Sequence, residues 1–243
     1  MHGEKGVKRL RRIGIILVLL FAICSLQFVP SGYLAIYPGP VIHLSDVVEV
    51  RDSSRKEDSF YMVSILAKDA SVLEFFKAAV DGKAGLWSKK QVFGGKSIDE
   101  YMEANWDLMM ESQKTATYIA LKTQGIAVQP QGPFPVDVRI RSGKVAGPSA
   151  GLAFALEILN QTGHDIVRGR RIACTGILDS EGRILGVGGV PQKTIACRNE
   201  GIEILLVPRP NYNETLGFAG DMTVFGVSTF DEALRVLSEE GNP

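Results

Sequence analysis

The hydrophobic rhythm of the chain changes abruptly between residues 134 and 162. Val136, Val138 and Ile140 alternate with Asp137, Arg139 and Arg141, the period-two pattern of a half-buried strand. From Ala150 to Leu159 nearly every residue is apolar and Glu157 is the one charge, which predicts a helix buried in a core. At the seam lies Gly147-Pro148-Ser149-Ala150-Gly151. Upstream, Tyr33 to Val50 reads as extended, Arg51 to Ser59 as a charged turn and Phe60 to Ala67 as a strand. Ser71 to Val80 predicts a short helix with Leu73, Phe76 and Ala79 on one side. A long helix is predicted from Ile98 to Thr123, stopped by Gly125. Its Trp106, Met109, Met110, Ala116, Ile119 and Ala120 recur at helical spacing and read as a core stripe. Downstream come a strand (Arg171 to Ile177), a turn (Asp179 to Gly182), a strand (Arg183 to Val187) and a helix from Pro191. A strand (Ile204 to Val207), a weak helix, a strand (Met222 to Phe225) and a helix (Asp231 to Leu237) complete the pattern. Strands alternating with helices predict an α/β or α+β domain.

One stretch stands outside this pattern. Ile13 to Val29 is apolar, interrupted only by Gly14, Ser25 and Gln27. With its flanks it approaches the roughly 20 residues needed to cross a bilayer. Residues 1–12 hold five bases and one acid, with no base just after the apolar run, which places the N-terminus in the cytoplasm and the body outside. A cleavable signal peptide is the rival, but Ala22-Ile23-Cys24 is a poor small-x-small site. The expectation is a retained single-pass anchor, residues 13–32, in the plasma membrane.

Composition changes the picture only a little. The formal charge of zero hides a mildly acidic body, with 22 Lys and Arg against 26 Asp and Glu once residues 1–12 are set aside. That balance gives no nucleic-acid footprint. An outside location permits a disulfide between Cys174 and Cys197, but both sit among apolar neighbours and read rather as buried free thiols.

Candidate chemistry centres on two residues. Ser149 stands near the first turn of the predicted interior helix, where free N–H groups and the helix dipole favour negative charge. Gly147, Pro148 and Ala150 around it are candidate shapers of an oxyanion site. Serine needs a base, and none of His2, His43 and His164 has a setting that suggests catalysis. Lys193 follows Gly188-Gly189-Val190-Pro191-Gln192. Pro191 suits a first helical position, which puts Lys193 where the dipole disfavours an ammonium. Apolar Val187, Val190, Ile195 and Ala196 would push the same way, toward the neutral amine a general base must be. An exposed lysine snorkelling at a helix end fits the same spacing. Thr175, followed by Gly176, reads equally as a hydroxyl that orients Lys193 or as an ordinary strand residue.

Taken in order, Gly147-Pro148-Ser149-Ala150-Gly151, Thr175-Gly176, Gly182-Arg183-Ile184-Leu185-Gly186-Val187-Gly188-Gly189, Lys193 with Ala196, and Gly201-Ile202 leading to Val207-Pro208 resemble the proteolytic domain of the Lon family of Ser-Lys peptidases. The resemblance covers about residues 134–240. It implies Ser149 as nucleophile, Lys193 as general base, Thr175 as an orienting hydroxyl, and an α+β, ribosomal protein S5 domain 2-like fold. The apolar N-terminus and Met110 to Gly125 resemble a narrower group, the membrane-anchored Lon-like proteases that usually carry a PDZ domain. Here only Ile126 to Pro135 occupies the place of that domain. Ala146 stands where many ATP-driven Lon enzymes have aspartate, so lysine alignment is expected to depend more on Thr175 and the backbone. Gly94-Gly95-Lys96-Ser97 is no phosphate loop, because the glycine required five residues before Gly95 is Lys90.

The organisation expected is a basic tail (1–12), an anchor (13–32), an elaboration (33–133) and a Lon-like proteolytic domain (134–243). The function expected is ATP-independent cleavage of unfolded or extended proteins outside the cytoplasm, without metal or cofactor. By resemblance the chain forms a homo-oligomer, with rings of six common among Lon relatives. Two rivals remain: a catalytically silent scaffold at the membrane, which activity on casein-like substrates separates, and a small-molecule kinase, which a nucleotide titration separates.

Overall fold

A computed structural model describes residues 2–51, 53, 58–143 and 145–239, with side chains from residue 11 onward. Much of the charged turn at 51–59 therefore lies outside the described residues, as do the side chains of the basic tail through residue 10 and the last four residues of the chain. The elements in chain order are α1 (His2–Ser25), β1 (Pro30–His43), β2 (Val48–Val50), β3 (Tyr61–Ser71), α2 (Val72–Asp81), β4 (Gly85–Ser88), α3 (Lys89–Phe93) and α4 (Ile98–Thr123). They continue with β5 (Val138–Ile140), α5 (Gly151–Gln161), β6 (Ile172–Cys174), β7 (Ile177–Leu178), β8 (Ile184–Leu185), α6 (Val190–Asn199), β9 (Ile204–Pro208), α7 (Tyr212–Thr215), β10 (Thr223–Val227) and α8 (Phe230–Glu239). The content is mixed α and β.

The chain forms two compact units, residues 1–37 with 67–95, and residues 38–66 with 96–243. Strands β1 and β3 contribute residues to both. In the smaller unit β1 pairs antiparallel with β4, Tyr33 opposite Ser88 through Ile36 opposite Gly85. Neither β4 nor α3 was expected from the pattern. Helix α2 starts where expected because the Ser71 hydroxyl accepts the Glu74 N–H at 3.2 Å, satisfying one donor left open at a helix start. The unit also carries α1; the window Arg11–Phe28, which runs from α1 through the 3-10 turn Leu26–Phe28, is unburied and, among the described residues, is the one helical stretch long and apolar enough to cross a membrane.

The larger unit is built on β3, β6, β9 and β10, all parallel neighbours. Helices fill the connections from β6 to β9 and from β9 to β10, as parallel strands require. Its core is α5, every residue of which is buried, packed against α4. The buried part of α4 is residues 116–121 together with Met109 and Ser112. Trp106 and Met110, expected in the core, are 37% and 52% exposed. They lie toward the N-terminal half, where the helix has less to pack against. The strand expected over 136–141 is shorter and pairs antiparallel with β2 in a small separate sheet.

Glu157, the one charge in the apolar run, is 1% exposed. Its carboxylate accepts the Phe60 N–H at 2.9 Å and the Gln161 amide at 2.7 Å. Gln161 in turn donates to Val48 O and accepts from Val50 N–H. Loss of water pushes the Glu157 pKa up, and these bonds tie β2 to α5. A buried charge with satisfied oxygens is thus a fastener between elements.

Candidate active site

Ser149 sits in a single 3-10 turn, Pro148–Ala150, that runs directly into α5. Its position two residues before the α-helix, rather than in the first helical turn, follows from Gly147 and Pro148. Gly147 adopts φ 93°, open to glycine at little cost, and turns the chain into the helix. The loop is held from α4. Asn105 O accepts the Gly147 N–H at 3.1 Å, and Ser112 Oγ donates to Pro148 O at 3.1 Å. Close approach is built in, since a Cβ on Gly151 would lie 2.8 Å from Ser112 Oγ and 3.2 Å from Leu178 N.

The serine's own carbonyl is the hub of the site. It accepts the Gly176 N–H at 2.7 Å and the Thr175 hydroxyl at 3.2 Å. Gly176 O returns a bond to Leu152 N–H at 3.2 Å, so the segment after β6 is stitched to the start of α5. These bonds also explain why the strand expected over 171–177 ends as β6 at Cys174. Thr175 N–H still reaches Leu206 O on β9 at 3.0 Å, but the Gly176 N–H has left the sheet for Ser149.

Lys193 lies in the first turn of α6, with Val190 rather than Pro191 as the first helical residue. It is 3% exposed, so the snorkelling alternative is excluded. Its Nζ donates to Thr175 Oγ1 at 2.9 Å. Burial pulls its pKa down from 10.5 to about 8. Cys197, one turn further on, would oppose this only as a thiolate. Burial pushes that thiol up to about 12, so it is neutral where the lysine titrates. Cys174 and Cys197 are both buried and unpaired.

Two hydrogen bonds through Thr175 therefore connect the Lys193 amine to the Ser149 backbone. No direct bond between Ser149 Oγ and Lys193 Nζ is present among the described residues. The direction of the chain is informative. Thr175 has one hydroxyl proton and donates it to Ser149 O, so it accepts from Lys193. A neutral Lys193 then keeps its lone pair free. Ser149 Oγ caps no helix and is half-buried.

Of the three residues expected around an oxyanion, the Gly147 N–H is taken by Asn105 O and Pro148 has none. Gly147 and Pro148 therefore shape the turn, and Ala150 closes it at the junction with α5. The histidines are elsewhere in their bonding. His43 Nδ1 pairs with Ser45 Oγ at 2.6 Å, His164 lines a cleft with Thr123, Arg168 and Leu234, and the His2 side chain lies outside the described residues. Among the described residues no group of acids, histidines or cysteines suits a metal ion.

Sequence reasoning missed Asn105 and Ser112. For Ser112 a signal existed: it falls between Met109 and Ala116 on the buried stripe of α4, and a polar residue at such a position calls for a partner. Asn105 gave none, because it holds Gly147 through its main-chain carbonyl.

The family described as the Lon protease (S16) C-terminal proteolytic domain matches residues 98–237. This chain belongs to that family. It is 30% identical over 164 residues to a Lon protease of Endomicrobium trichonymphae, covering 60% of this chain and 19% of that protein. A Lon protease of Campylobacter concisus is 34% identical over 111 residues, 44% of this chain and 12% of the relative. One from Chloroflexus aurantiacus is 28% identical over 139 residues, 54% and 17% respectively. The matched region thus spans less than a fifth of each of these relatives.

Proposed function

We propose that this chain is a serine endopeptidase in which Ser149 is the nucleophile, Lys193 the general base and Thr175 the residue that positions the lysine. One observation carries the reading: a dehydrated amine, with its pKa lowered to about 8, is bonded through Thr175 to the backbone of a serine whose hydroxyl caps no helix. Catalytic hydrogen bonds are often long or unmade without substrate and tighten when it binds. In the first step Ser149 Oγ attacks the scissile carbonyl carbon and its proton passes to Lys193 Nζ. The oxyanion is met by backbone N–H groups around Ser149. As the C–N bond breaks, Lys193 gives the proton to the departing amine. Water then attacks the acyl ester, and its proton returns by way of Lys193 to Ser149.

The fold is proposed to be the ribosomal protein S5 domain 2-like α+β arrangement. The proteolytic body is assigned to residues 134–243, with α4 of the 33–133 elaboration seated on α5. Cleavage is proposed to be ATP-independent and directed at unfolded or extended proteins. The glycine pair at 94–95 supports this, since it serves as a helix boundary rather than a phosphate cradle. Gly94 ends α3, and Ser97 caps α4. Residues 13–32 are proposed to anchor the chain in the plasma membrane, with the basic tail (1–12) cytoplasmic, the body outside, and assembly as a homo-oligomer, hexameric on the family resemblance.

Detergent-solubilised full chain should degrade reduced, unfolded casein without nucleotide, and Ser149→Ala should not. Undiminished cleavage by purified Ser149→Ala would overturn the assignment. A wild-type chain that binds casein but never cleaves it would favour the scaffold.

A further inference from the structure

We infer that helix α2 lies on the membrane surface, with its outer stripe dipped into the lipid next to the point where α1 leaves the bilayer. This rests on the proposed anchor. Helix α2 is apolar on two sides. Its inner side, Phe75 and Ala78, packs with Ala35, Ala70 and Leu86. Its outer stripe, Leu73, Phe76 and Val80, recurs at the spacing of one helical face. Phe76 is 59% and Val80 86% exposed.

The site of this stripe identifies its occupant. The candidate span ends at Phe28, and the next residue, Val29, accepts through its carbonyl the N–H of Val72, the first residue of α2, at 2.8 Å. The helix therefore begins where the span ends. Phe28 is itself 79% exposed. Tyr33 packs on Phe75 with ring centroids 4.9 Å apart, and Phe75 on Phe76 at 5.7 Å. Aromatic side chains collected beside the end of a span suit the boundary between headgroups and acyl chains. Lys77 and Lys83 are exposed beside the stripe, with Asp81 between them, and suit anionic headgroups. A helix of this length with one apolar face binds by sinking that face roughly 5–10 Å into the boundary layer.

The full chain, in a Cys24→Ser background with Cys174 and Cys197 fully buried, is reconstituted into vesicles of phosphatidylcholine and phosphatidylglycerol. A nitroxide is attached singly at Val80→Cys, Lys77→Cys or Leu19→Cys, and its spectrum is saturated in oxygen and in a water-soluble nickel chelate. The inference expects oxygen to relax the label at position 80 more than nickel does, as at position 19, with the order reversed at position 77. A water-like response at position 80 with a lipid-like one at 19 would overturn the inference while leaving the anchor intact. A water-like response at both positions would overturn the anchor itself. Dipolar broadening at position 80 would show a second copy on the stripe in place of lipid, and would also overturn it.

Discussion

Two serines stand at helix starts in the larger unit, and they are used in opposite ways. Ser97 opens α4 with a complete capping box: its hydroxyl accepts the Glu100 N–H at 3.2 Å, and the Glu100 carboxylate accepts both the Ser97 N–H and its hydroxyl proton at 2.8 Å. Ser149 opens the turn into α5 with its hydroxyl making no cap bond. The loop around it is instead fixed entirely through main-chain atoms, by Asn105, Ser112, Thr175 and Gly176. A cap contributes about 1 kcal/mol. Forgoing it at α5 while pinning the backbone from four directions leaves one hydroxyl available in a fixed place. That is what the role proposed for Ser149 requires.

The strongest way to break this comparison is to remove the reacting atoms. Ser149→Ala and Lys193→Met should each lower casein cleavage by at least ~10⁴-fold, with unchanged far-ultraviolet circular dichroism. Near-normal turnover in either would leave the uncapped serine without a role.

Next in size is Thr175. Thr175→Val removes the hydroxyl that links amine to backbone and should reduce kcat by ~10–100-fold with little change in KM. Thr175→Ser should restore most of it. A merely structural threonine would show the opposite ranking, since valine keeps the β-branched shape.

The third test is thermodynamic. Between about pH 8 and 10.5 the folded chain holds Lys193 neutral while the unfolded chain holds it protonated. The unfolded state then binds the extra proton, so stability rises with pH across that window. Below it the full burial penalty applies, on the order of 3 kcal/mol. In urea titrations Lys193→Met should therefore be more stable than the parent at pH 7, and the gap should close by about pH 10.5. A constant gap would mean the amine is not dehydrated.

The smallest effect sharpens the contrast directly. Ser97→Ala should destabilise the fold by about 1 kcal/mol and leave the specific activity of the folded fraction unchanged. Ser149→Ala, with no cap to lose, should change stability by less than about 0.5 kcal/mol.

Much of this arrangement is written in side-chain pattern. The apolar run at 150–159, the capping residues at 71 and 97, and the glycine pair before Lys193 announce α5, α2, α4 and α6 through periodicity and local preference. Lys193 was readable as a group placed against its electrostatic preference, although only the resemblance distinguished it from an exposed lysine. What escaped was carried by the main chain. The Ser149 carbonyl that gathers Thr175 and Gly176 has no residue-type signature. The early end of β6 and the shortness of β8 follow from the same cause. Gly176 N–H turns to Ser149, and Val187 N–H is claimed by Asn211 Oδ1 at 2.9 Å. Strand β4 escaped for a different reason, since Gly85–Ser88 is too short to show alternation.

The pairing of Ser149 with a neutral Lys193 is tested most directly by the rate at which an activated peptide ester acylates Ser149, followed by intact mass across pH 6 to 10. The account predicts a single adduct on Ser149, formed at a rate that rises with pH through a midpoint near 8, and none in Lys193→Met. A rate that is flat across that range, or acylation that persists in Lys193→Met, would contradict it.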